Sequence, residues 1–361
     1  MTHADGNKPA ATVSAAGLRT LGDYRRLMWR RRALVALLVA IALASALTDF
    51  VSGPSSLGFA DALRGLLDPA SLGHGQRVIL WDVRLPIAVL AILVGMALAL
   101  AGMEMQTILG NPLAEPFTLG VSSSAALGAA LAIVLGVGVP GVDLSWLVPA
   151  NAFVFALGAL LLLQVLARTH HAGPETLVLF GITIGFAAGA LLSLLQFVAS
   201  EDALQQLVFW TMGSLARADW PSVGLLAAVL AVTLPFSWRA ARRLTALRLG
   251  DDRARSFGVN VDRLRLWALV RASLLAATAV ALVGTIGFVG LVGPHMARLL
   301  VGEDHRFLLP ASVLCGALLM SLASVISKTL VPGVLVPVGI ATSLVGLPVF
   351  LALITRRHRR R

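Results

Sequence analysis

"ILGNPLAEPFTLGVSSSAALG", residues 108–128, lies between two strongly apolar stretches of the chain. A segment that crosses a membrane as a helix keeps its backbone N–H and C=O groups paired within itself. Here Asn111, Pro112, Glu115 and Pro116, followed by three serines, interrupt that helix. Lipid cannot satisfy the freed groups, so the break must lie against protein, water or a ligand. The stretch is therefore a candidate working part, with Gln106, Asn111, Pro112, Glu115, Pro116, Ser122 and Ser123 as the pathway and turn residues.

Composition says what surrounds the break. Of 361 residues, 58% are hydrophobic and 13% charged. A soluble domain carries about 25% charged residues, so the chain falls in the membrane class. The net charge is +11, and every basic residue except Lys8 and Lys328 is arginine. These arginines cluster beside apolar runs, which is the positive-inside pattern of an integral protein and argues against nucleic acid. Cys315 is the only cysteine, so no disulfide framework or cysteine metal site is expected.

A helix needs about 20 apolar residues to cross the hydrocarbon. The qualifying runs are 33–50, 85–109, 118–138, 146–167, 176–199, 221–238, 265–283, 285–301, 308–330 and 336–354. The predicted fold is thus an all-α integral membrane protein of about ten transmembrane helices. The first run follows a basic leader and is longer than a signal-peptide core of about 7–15 residues, so it is read as a retained span. Domain boundaries follow: a cytoplasmic tail over 1–32, one membrane domain over 33–355 and a basic tail over 356–361. With the N-terminus inside, the inner loops hold most of the arginines, while the outer loops hold Arg64, Arg77, Arg84, Arg217 and Lys328. An even number of spans then places both termini in the cytoplasm. "RLPIAVLAILVGMALALAG" in the second span and "RLWALVRASLLAATAVALVG" in the seventh echo each other and run in opposite directions, as inverted repeats do.

Intramembrane carboxylates usually mark ion-coupled transport. Glu104 is the one candidate. It either lines a pathway or sits near the inner end of its helix and reaches water; the second is expected. Neither Lys8 nor Lys328 belongs to a phosphate-cradling Gly-rich loop, so the chain is not itself a P-loop ATPase. No nucleophile–base pair suggests an enzyme, and no histidine stands at metal-ligand spacing; no catalytic residue, metal site or cofactor is expected. The longest inner loop is "LRLGDDRARSFGVNVDRLRLW", 247–267. Asp251 can cap a short helix ending at Gly258, and Asn260 or Asp262 a second. Two short helices would form a docking surface for a protein; a basic loop near anionic lipid is the other reading.

Several segments, in order, resemble one family. "RLP" at 84–86, "ALALAGMEMQTILGNPLAEPFTLGVSS" at 97–123, "WTMGSL" at 210–215 and "LGDDRARSFGVNV" at 249–261 are the first four. "GTIGFVGLVGPHMARLLVGEDHRFLLP" at 284–310 and "VPVGIATSLVGLPVFLAL" at 336–353 complete the pattern. Together they are similar to the permease subunit of iron-siderophore, cobalamin and haem ABC importers. The resemblance implies an inverted-repeat, ten-span permease of the bacterial cytoplasmic membrane, acting as a dimer, with lipid around it. It also implies cytoplasmic ATP-binding subunits as the motor and an extracytoplasmic binding protein that delivers a ferric siderophore, with cobalamin or haem as the alternative cargo. An ion-coupled secondary transporter is the reading from another class. Leu249, Gly250, Asp251, Ala254, Arg255, Gly258, Val259 and Arg263 fall in the segment resembling the family's coupling helices. Arg64, Arg77 and Lys328 are the expected binding-protein contacts. The chain departs from the family pattern at Glu104, Ser124, Ser324, Lys328 and Leu335, and the weaker contact expected of Lys328 points to a heterodimer with a second, more typical permease.

Overall fold

The computed structural model describes residues 15–53, 58–169, 173–331 and 333–358. The first quarter of the chain forms α1 (Ala15–Val51), α2 (Phe59–Leu67), α3 (His74–Arg77) and α4 (Leu85–Ile108). The middle forms α5 (Val121–Leu135), α6 (Leu144–Thr169), α7 (Pro174–Val198), α8 (Glu201–Thr211) and α9 (Trp220–Leu247). The remainder forms α10 (Asp251–Ser256), α11 (Val261–Val283), α12 (Val289–Val301), α13 (His305–Thr329) and α14 (Val338–His358). Among the described residues, seven helical stretches are long and apolar enough to cross a membrane, and α5, α12 and the apolar part of α14 are shorter apolar helices, making ten.

The second span is longer than its apolar run. α3 continues through a π-helical turn at Val78–Arg84 into α4. Pro86 has no N–H to donate, and the wider turn just before it absorbs the misfit. By contrast, α5 and α12 have 15 and 13 residues. At about 1.5 Å per residue they are roughly 20 Å long, short of the roughly 30 Å hydrocarbon. Each follows an irregular stretch that folds back into the bundle, so both helices begin within it.

Side-chain pairs fix the directions. Arg271 of α11 meets Glu104 of α4, and Arg265, six residues earlier, donates to the carbonyl of Ile108, four residues later. The second and seventh spans are therefore antiparallel. Ser45 donates to Ser321 and Lys328 to Asp49, so α1 and α13 are parallel. Close packing at the centre depends on glycine. Gly95 lies against the backbone of Gly316, and Gly102 against that of Gly290; neither leaves room for a methyl group. Small residues let apolar helices approach this closely where no hydrophobic force drives them together.

Three sequence expectations fail here. Glu104 does not reach water: it is fully buried and bonded to Arg271, whose Nε stands 3.0 and 3.1 Å from its two oxygens. Lys328 is not an exposed outer cation, since only 5% of it is exposed and its Nζ is 2.7 Å from Asp49 Oδ1. Arg84 is likewise buried and donates to the Val51 carbonyl at the end of α1. The reason is common to all three. Each charge sits where another helix brings a partner, which satisfies it inside protein at lower cost than exposure to lipid.

Candidate functional site

The interruption after α4 is a built turn. Gly110 has φ of 59°, where a side chain is disfavoured, and the Asn111 carboxamide oxygen accepts from the Leu113 N–H at 2.9 Å. This side-chain turn replaces the missing helical bonds. Pro116 then opens a short 3-10 turn, whose Thr118 hydroxyl accepts from Glu115 N–H and donates to the Glu115 carbonyl. Gly120, at φ of 78°, presses against Gly181 and Gly185 of α7, and α5 begins.

The second interruption, Gly284–Phe288, precedes α12 and meets the first one at Glu115. Glu115 is 7% exposed, and its carboxylate lies at the N-terminal turn of α12. A helix N-terminus offers unpaired N–H groups and a positive dipole end, so a carboxylate belongs there. Gly290 stands beside both the Glu115 carboxylate and the Leu98 carbonyl, which places this contact midway along α4. The two breaks thus meet inside the bundle.

Beside the contact is an open cavity of about 450 Å³. Glu115, Phe117, Met212, Thr285, Phe288 and Ser343 line it, contributed by both breaks and by the neighbourhoods of α8 and α14. Its wall is mostly apolar with a few polar groups, which suits a bulky ligand in transit more than a reaction. Of the seven pathway and turn residues expected from sequence, Glu115 alone is on that wall. Gln106 lies behind it, donating to the Gly290 and Leu291 carbonyls and accepting from Arg298. Asn111, Pro112 and Pro116 shape the turn; Ser122 is buried in α5 and Ser123 half-buried beside it. Met212, Thr285 and Phe288 were not singled out from sequence. For Thr285 and Phe288 the signal was the glycine-rich "GTIGFVGLVG", which interrupts the apolar run.

At the end of the bundle marked by the C-terminus of α4, α10 stands out from the surface. Leu249 and Phe257 are 53% and 68% exposed, while Ala254 and Val259 face inward. Gly250 caps the N-terminus with φ of 101°, and Gly258, at 77°, ends the helix. Asp251 is not the cap expected from sequence. Its carboxylate takes two bonds from Arg265, at 2.8 and 2.9 Å, a forked geometry that holds α10 to the start of α11. Asn260 does cap its helix, accepting from Arg263 N–H. That second helix, however, is no short piece but the first turn of the seventh span. Arg255 and Arg263 are exposed.

Charged groups at the same end tie neighbouring helices. Arg248 and Arg298 both bind Glu303, and Arg306 binds Asp304, with Arg31 of α1 nearby. The Arg306 guanidinium holds the Asp304 carboxyl below its usual value. His305 links Thr107 of α4 to Thr245 of α9 through its two ring nitrogens, at 2.8 and 3.2 Å. Toward the opposite end, Arg64 and Arg77 are exposed on α2 and α3.

Comparisons with known proteins agree with this geometry. The profile of the FecCD transport family matches residues 36–356. The hemin transport system permease of Yersinia pestis is 39% identical over 78% of this chain and 84% of its own length. The Fe(3+) dicitrate transport system permease of Escherichia coli is 39% identical over 81% and 90%. The vitamin B12 import system permease of Vibrio vulnificus is 36% identical over 80% and 86%. A solved ABC transporter assigned to the metal-chelate type, in an inward-facing conformation, superposes with a TM-score of 0.79 at 30% identity, covering 90% of this chain and 99% of the other.

Proposed function

This chain belongs to the FecCD transport family, and from that premise we propose that it carries a ferric siderophore across the cytoplasmic membrane as one half of an ATP-driven importer. The class is that of permeases for metal chelates, vitamin B12 and haem. The finer identity of the cargo is our reading. Cobalamin and haem are the alternatives, because relatives named for both are about as similar as the one named for ferric dicitrate.

The observation that carries the reading is the pairing of a cavity at two broken helices with a protruding α10 on the same frame. Arg265 binds both Asp251 at α10 and the Ile108 carbonyl at the end of α4, just before the Asn111 turn that leads to Glu115. A push on α10 therefore has a short, polar route to the cavity. Cytoplasmic ATP-binding subunits supply that push, seated over Leu249, Gly250, Asp251, Ala254, Arg255, Gly258, Val259 and Arg263. Phe257 joins this surface as its most exposed apolar side chain. An extracytoplasmic binding protein delivers cargo at the other end, where Arg64 and Arg77 steer an acidic partner. Lys328, neutralised by Asp49 inside the bundle, has no part in that contact and gives no ground for an unlike partner. A second permease, a copy of this chain or a paralogue, completes the pathway. Residues 1–32 and 356–361 are cytoplasmic tails around a membrane domain over 33–355.

Purifying the tagged protein from its native membrane tests the assembly. Recovery of an ATP-binding subunit in stoichiometric amount supports the proposal, and recovery of the chain alone, under conditions that preserve other importers, contradicts it.

A further inference from the structure

From Arg25 onward, α1 carries two unlike faces. Arg31, Leu38, Ser45 and Asp49 recur at helical spacing and form one stripe, which meets the bundle. Leu38, Ser45 and Asp49 are buried, and the last two bond Ser321 and Lys328 of α13. Arg31 is fastened as well, its guanidinium 3.8 Å from Asp304 and 5.6 Å from the centre of the Phe307 ring. The opposite stripe holds Arg25, Trp29, Arg32, Ala36, Leu43 and Leu47, and all six are exposed. Arg26 and Arg30 flank it and are exposed too. Among the described residues, no ion pair engages Arg25, Arg26, Arg30 or Arg32.

We propose that the turns of α1 from Arg25 to Arg32 bind the headgroup of an anionic phospholipid. The exposed stripe is apolar beyond Arg32 and belongs to a stretch long and apolar enough to cross a membrane, so its Leu43 and Leu47 face acyl chains. The same stripe turns basic at Arg32, one residue before the apolar run begins at Ala33. At about 1.5 Å per residue, the four arginines lie within about 12 Å of the hydrocarbon, where their long side chains reach the phosphate layer. Trp29, 74% exposed, stands among them at the level where indole rings favour the interface. A guanidinium presents its forked N–H groups to phosphate oxygens, which gives the patch its ligand. Because Arg31 is fastened to the start of α13, α1 cannot roll, and the four guanidinium groups stay turned outward. A seat for the ATP-binding subunit fits less well, since α1 packs on α4, α12 and α13 while α10 rests on α9 and α11. The proposal needs only the membrane reading of α1; cargo and ATPase do not enter it.

The purified chain in a neutral detergent is titrated with phosphatidylglycerol, and bound lipid is counted by native mass spectrometry. An arginine near an anionic lipid surface strengthens binding about fivefold. Arg25→Gln, Arg26→Gln, Arg30→Gln and Arg32→Gln together should therefore weaken the first lipid bound by about a hundredfold or more. The pair Arg25→Gln and Arg32→Gln should weaken it about twentyfold, and serves if the fourfold variant does not fold. Removing the exposed arginines of the α10 surface, by Arg253→Gln, Arg255→Gln and Arg263→Gln, should change it less than about threefold, since they stand on another side of the bundle. Glycerol phosphate, which has the phosphate but no acyl chains, should not displace the lipid. Equal losses from the α1 and α10 variants, no loss from the α1 variants, or displacement by glycerol phosphate at the lipid's own concentration overturns the proposal. Unchanged lipid binding with loss of the ATP-binding subunit would make the patch a protein contact instead.

Discussion

Glu104→Leu would strand Arg271 inside the bundle. The pair is compact: Nε lies 3.0 and 3.1 Å from the two carboxylate oxygens and Nη2 2.9 Å from one of them. Glu104 has no exposed surface and Arg271 little. Removing one member of a buried pair costs about 3–5 kcal/mol, because the other charge is left without a partner. Replacing both by apolar groups of similar volume is about neutral. We therefore expect Glu104→Leu to lower stability by about 3 kcal/mol, roughly a hundredfold in the folded population. Adding Arg271→Met should recover most of that loss. Equilibrium unfolding in mixed micelles, followed by tryptophan fluorescence, measures both. Losses that simply add in the double variant would show that the two side chains do not support each other, and the reasoning would be wrong. Since neither residue lines the cavity, the double variant should also retain uptake.

Ala254→Pro removes the N–H that bonds Gly250 O at 3.0 Å and breaks α10, so the ATP-binding subunit should no longer co-purify; normal recovery would remove α10 from the contact. Pro112→Ala with Pro116→Ala frees the turn between α4 and α5, and uptake should fall more than protein level, which immunoblotting of the same membranes checks. Lys328→Met leaves Asp49 buried without a cation and should destabilise the protein by about 3 kcal/mol in the same unfolding assay. Binding-protein affinity, measured on the folded fraction, should be unchanged.

Seven long apolar helices were legible from length and apolarity, whereas the runs 118–138, 285–301 and 336–354 hold shorter apolar helices, which a count of apolar residues does not distinguish from full spans. The first break was legible because Pro112 and Pro116 cannot continue a helix. The α10 segment could be read from its flanking glycines, Gly250 and Gly258. What escaped was pairing across distance. Glu104 and Arg271 are 167 positions apart, and Asp49 and Lys328 are 279 apart; each looks like a helix-end charge when read along its own span. The available signal was that one acid and one base each fall in an otherwise apolar run, which lipid makes costly unless they meet. Phe288 escaped for a different reason. Its backbone takes the left-handed region, at φ of 69°, which no local preference gives a phenylalanine, so only the close approach of Gly346 to its Cβ could reveal it.

Uptake by the rebuilt importer tests the central claim most directly. The chain is placed in liposomes with its ATP-binding subunit, a second permease where one co-purifies, and the binding protein loaded with a radiolabelled ferric siderophore. Accumulation that requires ATP on the side of α10, and persists when a proton ionophore collapses the gradient, is the result predicted. Accumulation without ATP that the ionophore abolishes would make this chain an ion-coupled carrier and contradict the account.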